Sequence, residues 1–332
     1  MEYFLYSVEM PLSNVELFYR DINSKEQLIL AKTNLLFPIE EENSKEYSRI
    51  VKKIIFNCVE NKEDIYKLNI IDYFLFIIKL RINSFGETLE LMLKANDNSD
   101  EMDSKISINL NVFMKNLYEK SKKAMEDCII THKNLKICID WPNMTSKEFF
   151  LKEKEEIGTA ILSNIQEYIK NITINDVFID TTAYKSEEKL ELYEKLPISV
   201  KVKIQKKVLN AILKISKENL FGIKKMDFFK YNPYNKSQQQ LMRFIFSDNL
   251  RNIYQEYYIL SSKNINPLYI DSLSVSDRRV FCSFIKEESE NSQKKSESTK
   301  ANQTPQDNKL SGIKNKLTRD AWWLSLIFLG LY

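Results

Sequence analysis

Glycine is the residue that most limits this chain: there are five in 332 residues, at Gly86, Gly158, Gly222, Gly312 and Gly330, and none lies beside another. A phosphate-cradling loop, a dinucleotide fingerprint or a nucleophile elbow needs clustered glycines, because the backbone must take positive φ or approach a ligand closely. Those classes of chemistry are nearly excluded. A single histidine, His132, leaves little material for catalytic triads or for most zinc sites. With 43% hydrophobic and 29% charged residues the chain has a globular balance and can bury a core. Its length suits two domains, or one elongated assembly of helices with appendages.

Lysine and arginine number 49 against 46 acids, a net charge of +3, and only eight of the 49 are arginine. Abundant Lys, Asn and Ile beside scarce Ala, Gly, Pro and Arg is what an AT-rich genome encodes, so lysine richness alone points to no partner. Cys58, Cys128, Cys138 and Cys282 are widely spaced, none in a CxxC arrangement, and no signal peptide opens the chain. A reducing cytoplasm fits best. The most hydrophobic segment, residues 321–332, is shorter than the ~20 residues that span a bilayer, so no membrane attachment is expected.

The chain opens with two β-prone runs, Tyr3 to Glu9 and Val15 to Tyr19, around the turn formers Pro11, Ser13 and Asn14, which predicts a hairpin. Ser24 with Gln27 reads as a capping box at a helix start, Ser44 opens a second helix, and a third begins near Asn69 with Asp72 at the capping position. After Gly86 the period changes to two: Leu89, Leu91 and Leu93, then Ile106, Ile108 and Leu110, then Leu135, Ile137 and Ile139 alternate with polar residues, as half-buried strands do. From Thr145, capped with Glu148, the spacing predicts mostly helix through Ile172, then a short extended stretch from Val177 to Ile179. Ser186 and Ser199 cap further helices on either side of Pro197, Ser237 to Leu260 reads as another, and Ser274 with Asp277 starts the last.

The fold expected is α+β and predominantly helical: an N-terminal hairpin and a small antiparallel sheet with helices, then a helical module and a flexible C-terminal tail. The boundaries are 1–145 for a mixed α/β domain, 146–288 for a mainly helical domain, 289–312 for a disordered linker and 313–332 for a hydrophobic docking segment. The linker assignment rests on residues 289–309, which carry no large apolar side chain and cannot bury enough surface to order themselves.

No catalytic, cofactor-binding or metal-binding residue is assigned, and no small-molecule substrate is expected. Cys128 and His132 are four apart, with Cys138 as a third donor, but His132, Lys133 and Asn134 look like the turn of a hairpin in which the cysteines are small apolar residues. Acidic runs such as Glu40 to Glu42, or Glu187 and Glu188, sit where plain solvation explains them. Between Lys201 and Arg243 eleven basic residues face only Glu218 and Asp227, with Phe221, Phe228, Phe229, Tyr231 and Tyr234 interleaved. Val208, Leu209, Ile212 and Leu213 make these lysines the solvated face of a helix first. Lys206 and Lys207 are the expected contacts to an acidic protein surface, and nucleic acid is the alternative partner.

One resemblance brings these features together. Pro11, Arg20, Glu26, Cys58, Leu68, Asp72, Phe76, Leu80, Arg81, Ser84 and Gly86, with Pro142 after the strands, resemble the baseplate hub and hub-assembly proteins of T-even-type tailed bacteriophages. Tyr184, Ser186, Glu187, Glu188 and Leu196 continue the likeness. The stretch from Phe246 through Asn249, Leu250, Tyr254, Tyr258 and Leu260 to Asp277, Arg278 and Arg279 is similar to a module of small phage tail-assembly proteins. The resemblance implies a noncatalytic structural component or assembly factor of a contractile-tail baseplate hub. It would meet other phage baseplate or tail proteins, in the host cytoplasm during assembly or in the virion tail baseplate. Asp72, Arg81 and Gly86 are read as structural: a helix-start carboxylate, an anchor and a turn. Trp322, Trp323, Leu324, Ile327 and Phe328 are read as a tethered docking peptide, too apolar to stay free in water without consequence.

Overall fold

A computed structural model describes residues 4–36, 44–93, 104–126, 128–143, 164–216, 245–246 and 248–300. The fold is α+β and predominantly helical, with small antiparallel sheets. β1 (Tyr6–Met10) and β2 (Val15–Tyr19) form the expected hairpin, its turn closed by the Asn14 amide on the Met10 carbonyl at 2.8 Å with Asn14 at φ 57°. Helix α1 (Ser24–Leu36) follows, but its capping box is one residue earlier than the sequence suggests. Asn23 Oδ1 accepts the Glu26 amide and Glu26 Oε2 accepts the Asn23 amide. Ser24 instead donates its hydroxyl to the Leu273 carbonyl, and Gln27 turns inward.

Helix α2 (Ser44–Cys58) begins where expected, and α3 (Ile70–Phe85) is the most buried helix, with Leu75, Phe76, Ile77, Ile78 and Leu80 in the core. β3 (Thr88–Leu93) and β4 (Ser104–Asn109) pair antiparallel. Leu110 does not continue the alternation. It starts α4 (Leu110–Met125), a helix that the period-2 reading passes over, capped by Asn109 Oδ1 on the amides of Asn111 and Val112.

The main sheet runs β5 (Ile129–His132), β6 (Leu135–Ile139), β7 (Ile169–Ile174) and β8 (Val177–Asp180), in that order and antiparallel throughout. His132 stands at the end of a hairpin whose turn holds Lys133 at φ 54°, as the sequence suggests. The helix expected through Ile172 does not reach that far: Ile165–Tyr168 is a 3₁₀ turn and Ile169–Ile174 is a strand, while Thr145 and Glu148 lie outside the described residues. Alternating Ile172 inward and polar neighbours outward suits a sheet, where Ile172 stands between Ile137 and Ile179.

Helices α5 (Ser186–Glu194) and α6 (Ile198–Ser216) flank Pro197, whose carbonyl accepts the first amides of α6. Ser186 does not cap α5: it donates to Glu167, and the Lys185 amide is held by Glu188. The helix read from Ser237 is described only at its end, and α7 (Leu250–Ser262) starts afresh behind the cap Asn249. Then come α8 (Pro267–Ser272) and α9 (Val275–Lys300), the latter opened by Ser274 and Asp277 as expected.

Contacts divide the chain into Met1–Arg278 and Arg279–Tyr332. A boundary at residue 145 does not separate two bodies, because a single buried cluster runs from Met10 through Ile137, Ile172 and Val208 to Phe246. Within the second unit the helix continues to Lys300, into the stretch read as linker. Residues 301–332, with the docking segment, lie outside the described residues. Among the described residues no helix is long and apolar enough to cross a membrane.

Candidate interaction site

Asp72 is fully buried but does not cap α3. Asn69 does so, accepting the Asp72 amide at 2.9 Å. Asp72 Oδ2 looks outward from the helix and accepts the backbone amides of Leu12 (3.0 Å) and Ser13, while the Ser13 hydroxyl accepts the Asn69 amide at 2.8 Å. The carboxylate thus ties the hairpin turn to the start of α3. Burial raises its pKa above the ordinary value, against the lowering effect of the Ser13 and Leu12 bonds.

Arg81, also buried, anchors two segments. Its Nη1 donates to the Gly86 carbonyl at 3.1 Å, at the turn that ends α3, and its Nε donates to the Ile245 carbonyl at 2.8 Å. The guanidinium lies 4.7 Å from the Phe85 ring centroid. Gly86 holds φ 98° and ψ 164°, a conformation that costs a side-chain-bearing residue roughly 1–3 kcal/mol, with no atom within 4 Å of where a Cβ would stand.

Arg20 forms a two-pronged pair with Glu26, at 2.9 and 2.8 Å, joining the end of β2 to α1. Arg278 is as enclosed as Asp72: it is 0% exposed, with Nε on Glu256 at 2.9 Å and Nη2 on Gln27 and Glu256. Gln27 Nε2 in turn donates to Asp248. This cluster binds α1 to the start of α7 and of α9, and its members were not picked out as site residues from sequence. Three of the eight arginines in a lysine-rich chain carry such multiple bonds, Arg81 and Arg278 buried and Arg20 half-buried, which is the signal that was there to read.

The basic region is described only as far as α6. Its buried face is Val200, Ile204, Val208, Ala211 and Ile215, rotated from the face read in sequence: Leu209 and Ile212 are only half-buried. Lys206 is exposed. Lys207 is not its equivalent, since its Nζ donates to the Ile129 carbonyl on β5 at 2.8 Å. Beside it, Ala124, Glu126, Cys128, Lys207, Asn210, Ala211 and Lys214 line an open hollow of about 410 Å³. Burial raises the Cys128 thiol pKa although Lys207 and Lys214 oppose it, which leaves it protonated and weakly nucleophilic. His132 sits opposite Leu135, three residues along from the Ile129–Cys138 pair, or about 10 Å at strand rise. The hairpin therefore does not converge these donors. Among the described residues no group of three His, Cys, Asp or Glu side chains could hold a metal. Trp322, Trp323, Leu324, Ile327 and Phe328 lie outside the described residues.

The geometry thus consists of buried ties between segments and exposed basic or apolar surface. A family model described as T4 bacteriophage base plate protein matches residues 3–223, from the first hairpin beyond the end of α6. No curated protein and no solved structure matches the chain.

Proposed function

This chain belongs to the T4 bacteriophage base plate protein family, and from that premise we propose that it is a noncatalytic structural component or assembly factor of the contractile-tail baseplate hub. The family match over residues 3–223 is the observation that carries the proposal. The uses of the polar groups support it. Asp72, Arg81, Arg20 and Arg278 spend their bonds on tying segments together, so these charged groups are accounted for by architecture rather than by a reacting centre. On this reading the protein meets other baseplate or tail proteins, in the host cytoplasm during assembly and in the virion tail baseplate.

Lys206 on the outer face of α6 is a contact to an acidic partner surface, and the segment Ile313 to Tyr332 docks through Trp322, Trp323, Leu324, Ile327 and Phe328. Affinity capture of the tagged full chain from infected cells tests this. Baseplate hub proteins should be recovered, and deletion of residues 313–332 should weaken their capture while the melting temperature of the body stays unchanged. Unchanged capture with a lowered melting temperature would assign the tail to the protein's own fold. Tight, steeply salt-dependent DNA binding lost in Lys206→Glu would favour a nucleic-acid role instead.

A further inference from the structure

The main sheet is finished differently at its two edges. At β5 the helix α6 lies alongside, and Lys207 Nζ occupies the Ile129 carbonyl at 2.8 Å. At β8 nothing comparable is present among the described residues. Its turn is the two-residue Asn175–Asp176, both at positive φ (47° and 65°), closing the Ile174–Val177 pair. Antiparallel alternation from that closing pair aims the N–H and C=O groups of Phe178 and Asp180 away from β7, out of the sheet's free side. β8 is short, four residues ending in Asp180, but it carries no proline and no lysine, and the register shift of this sheet lies between β6 and β7 at Cys138/Ile139.

The side chains reinforce the contrast. Across the sheet, Ile130, Ile137, Ile172 and Ile179 stand in one row, and Leu135, Ile174 and Val177 share the same face. Ile130, Ile137 and Ile172 are buried, but Ile179 is half-exposed, Ile174 is 42% exposed and Val177 62%. The core face of the sheet therefore extends past its cover at β8. Phe178, on the other face, is 63% exposed.

We propose that the edge of β8, which no strand among the described residues pairs, receives an extended segment of another protein as a fifth strand, one with alternating apolar side chains beside Val177 and Ile179 and with Lys or Arg at its ends facing Asp176 and Asp180. Charge selects this occupant. Asp176 and Asp180 are exposed at either end of the strand, and hydrogen bonds from Thr182 hold Asp180 below the usual carboxylate range. A second copy of β8 fits poorly: every antiparallel register that matches the outward amides sets an aspartate against an aspartate or against Phe178. A basic-ended apolar strand satisfies both ends and the edge at once. The inference stands apart from the hub assignment and fails or holds without it.

The test uses the full chain and three capped pentapeptides: Lys-Val-Thr-Val-Lys, the same peptide with Glu at both ends, and the lysine peptide N-methylated at alternate residues. Fluorescence anisotropy should show saturable binding of the first, at least tenfold weaker binding of the second, and none of the third. Amide exchange at Phe178 and Asp180 should slow on binding. Phe178→Lys should abolish binding with an unchanged melting temperature, and Asp180→Asn, which keeps the Thr182 bonds, should narrow the preference for lysine ends. Binding that survives N-methylation, equal binding of both charged peptides, or no saturable binding overturns the proposal. A Phe178-dependent dimer of the chain does so as well, by naming a second copy as the occupant.

Discussion

At the scale of single residues, Asp72 and Arg278 show how buried charge serves this fold. Asp72 accepts two amides of the hairpin turn, so Asp72→Ala strands two half-buried donors and should cost about 1–3 kcal/mol. Asp72→Asn keeps an acceptor and separates bonding from charge. Because burial raises the folded pKa of Asp72 above its unfolded value, the stabilisation from its protonated form is complete below the unfolded value and is lost as pH rises through the folded one. Melting curves should therefore show Asp72→Asn gaining on the parent as pH rises above the ordinary carboxyl value of about 4. A gap that stays constant with pH would contradict the assignment. Arg278→Ala leaves Glu256 and Gln27 without their buried partner, and should destabilise by about 3–5 kcal/mol in urea unfolding. Arg81 and Gly86 were legible as an anchor and a turn; that Arg81 also reaches Ile245, 164 residues away, was not. Sequence spacing reports local partners, and a long-range fork leaves only the choice of Arg over Lys as its trace.

Among the elements, α6 separates two lysines that look interchangeable in sequence. Lys206→Glu alters an exposed charge and should leave stability within about 0.5 kcal/mol, while weakening capture of an acidic partner with a shallow salt dependence. Lys207→Glu removes the bond to Ile129 and should cost about 1 kcal/mol and speed amide exchange along β5. Equal loss of stability in both variants would contradict this division. The period-2 runs located β3, β4 and β6 correctly because each has one face on the core. The same reading carried the alternation one residue into α4, where the Asn109 cap was the missed signal. It also gave β7 to a helix, since a six-residue strand carries too few residues to outweigh a capping signal upstream. Tertiary pairing with β6 decides that segment, and pairing partners are invisible to local pattern.

For the whole molecule, the unit that folds together extends beyond the family match: Met1–Arg278 is compact, and Ser24, Gln27 and Arg81 are satisfied by Leu273, Arg278 and Ile245. A chain ended at residue 223 should therefore be markedly less stable than one ended at residue 278, as denaturant unfolding would show. Composition argued against glycine-dependent catalysis, and the order of motifs from Pro11 to Gly86 placed the family. Neither could place the open edge of β8, because edge position is a property of the assembled sheet. The central claim is that this protein works within the baseplate hub through protein contacts. Quantitative mass spectrometry of baseplate intermediates, sedimented from infected cells, tests it most directly. The chain should cosediment with hub or baseplate intermediates. Its absence from all of them, together with recovery on DNA, would contradict it.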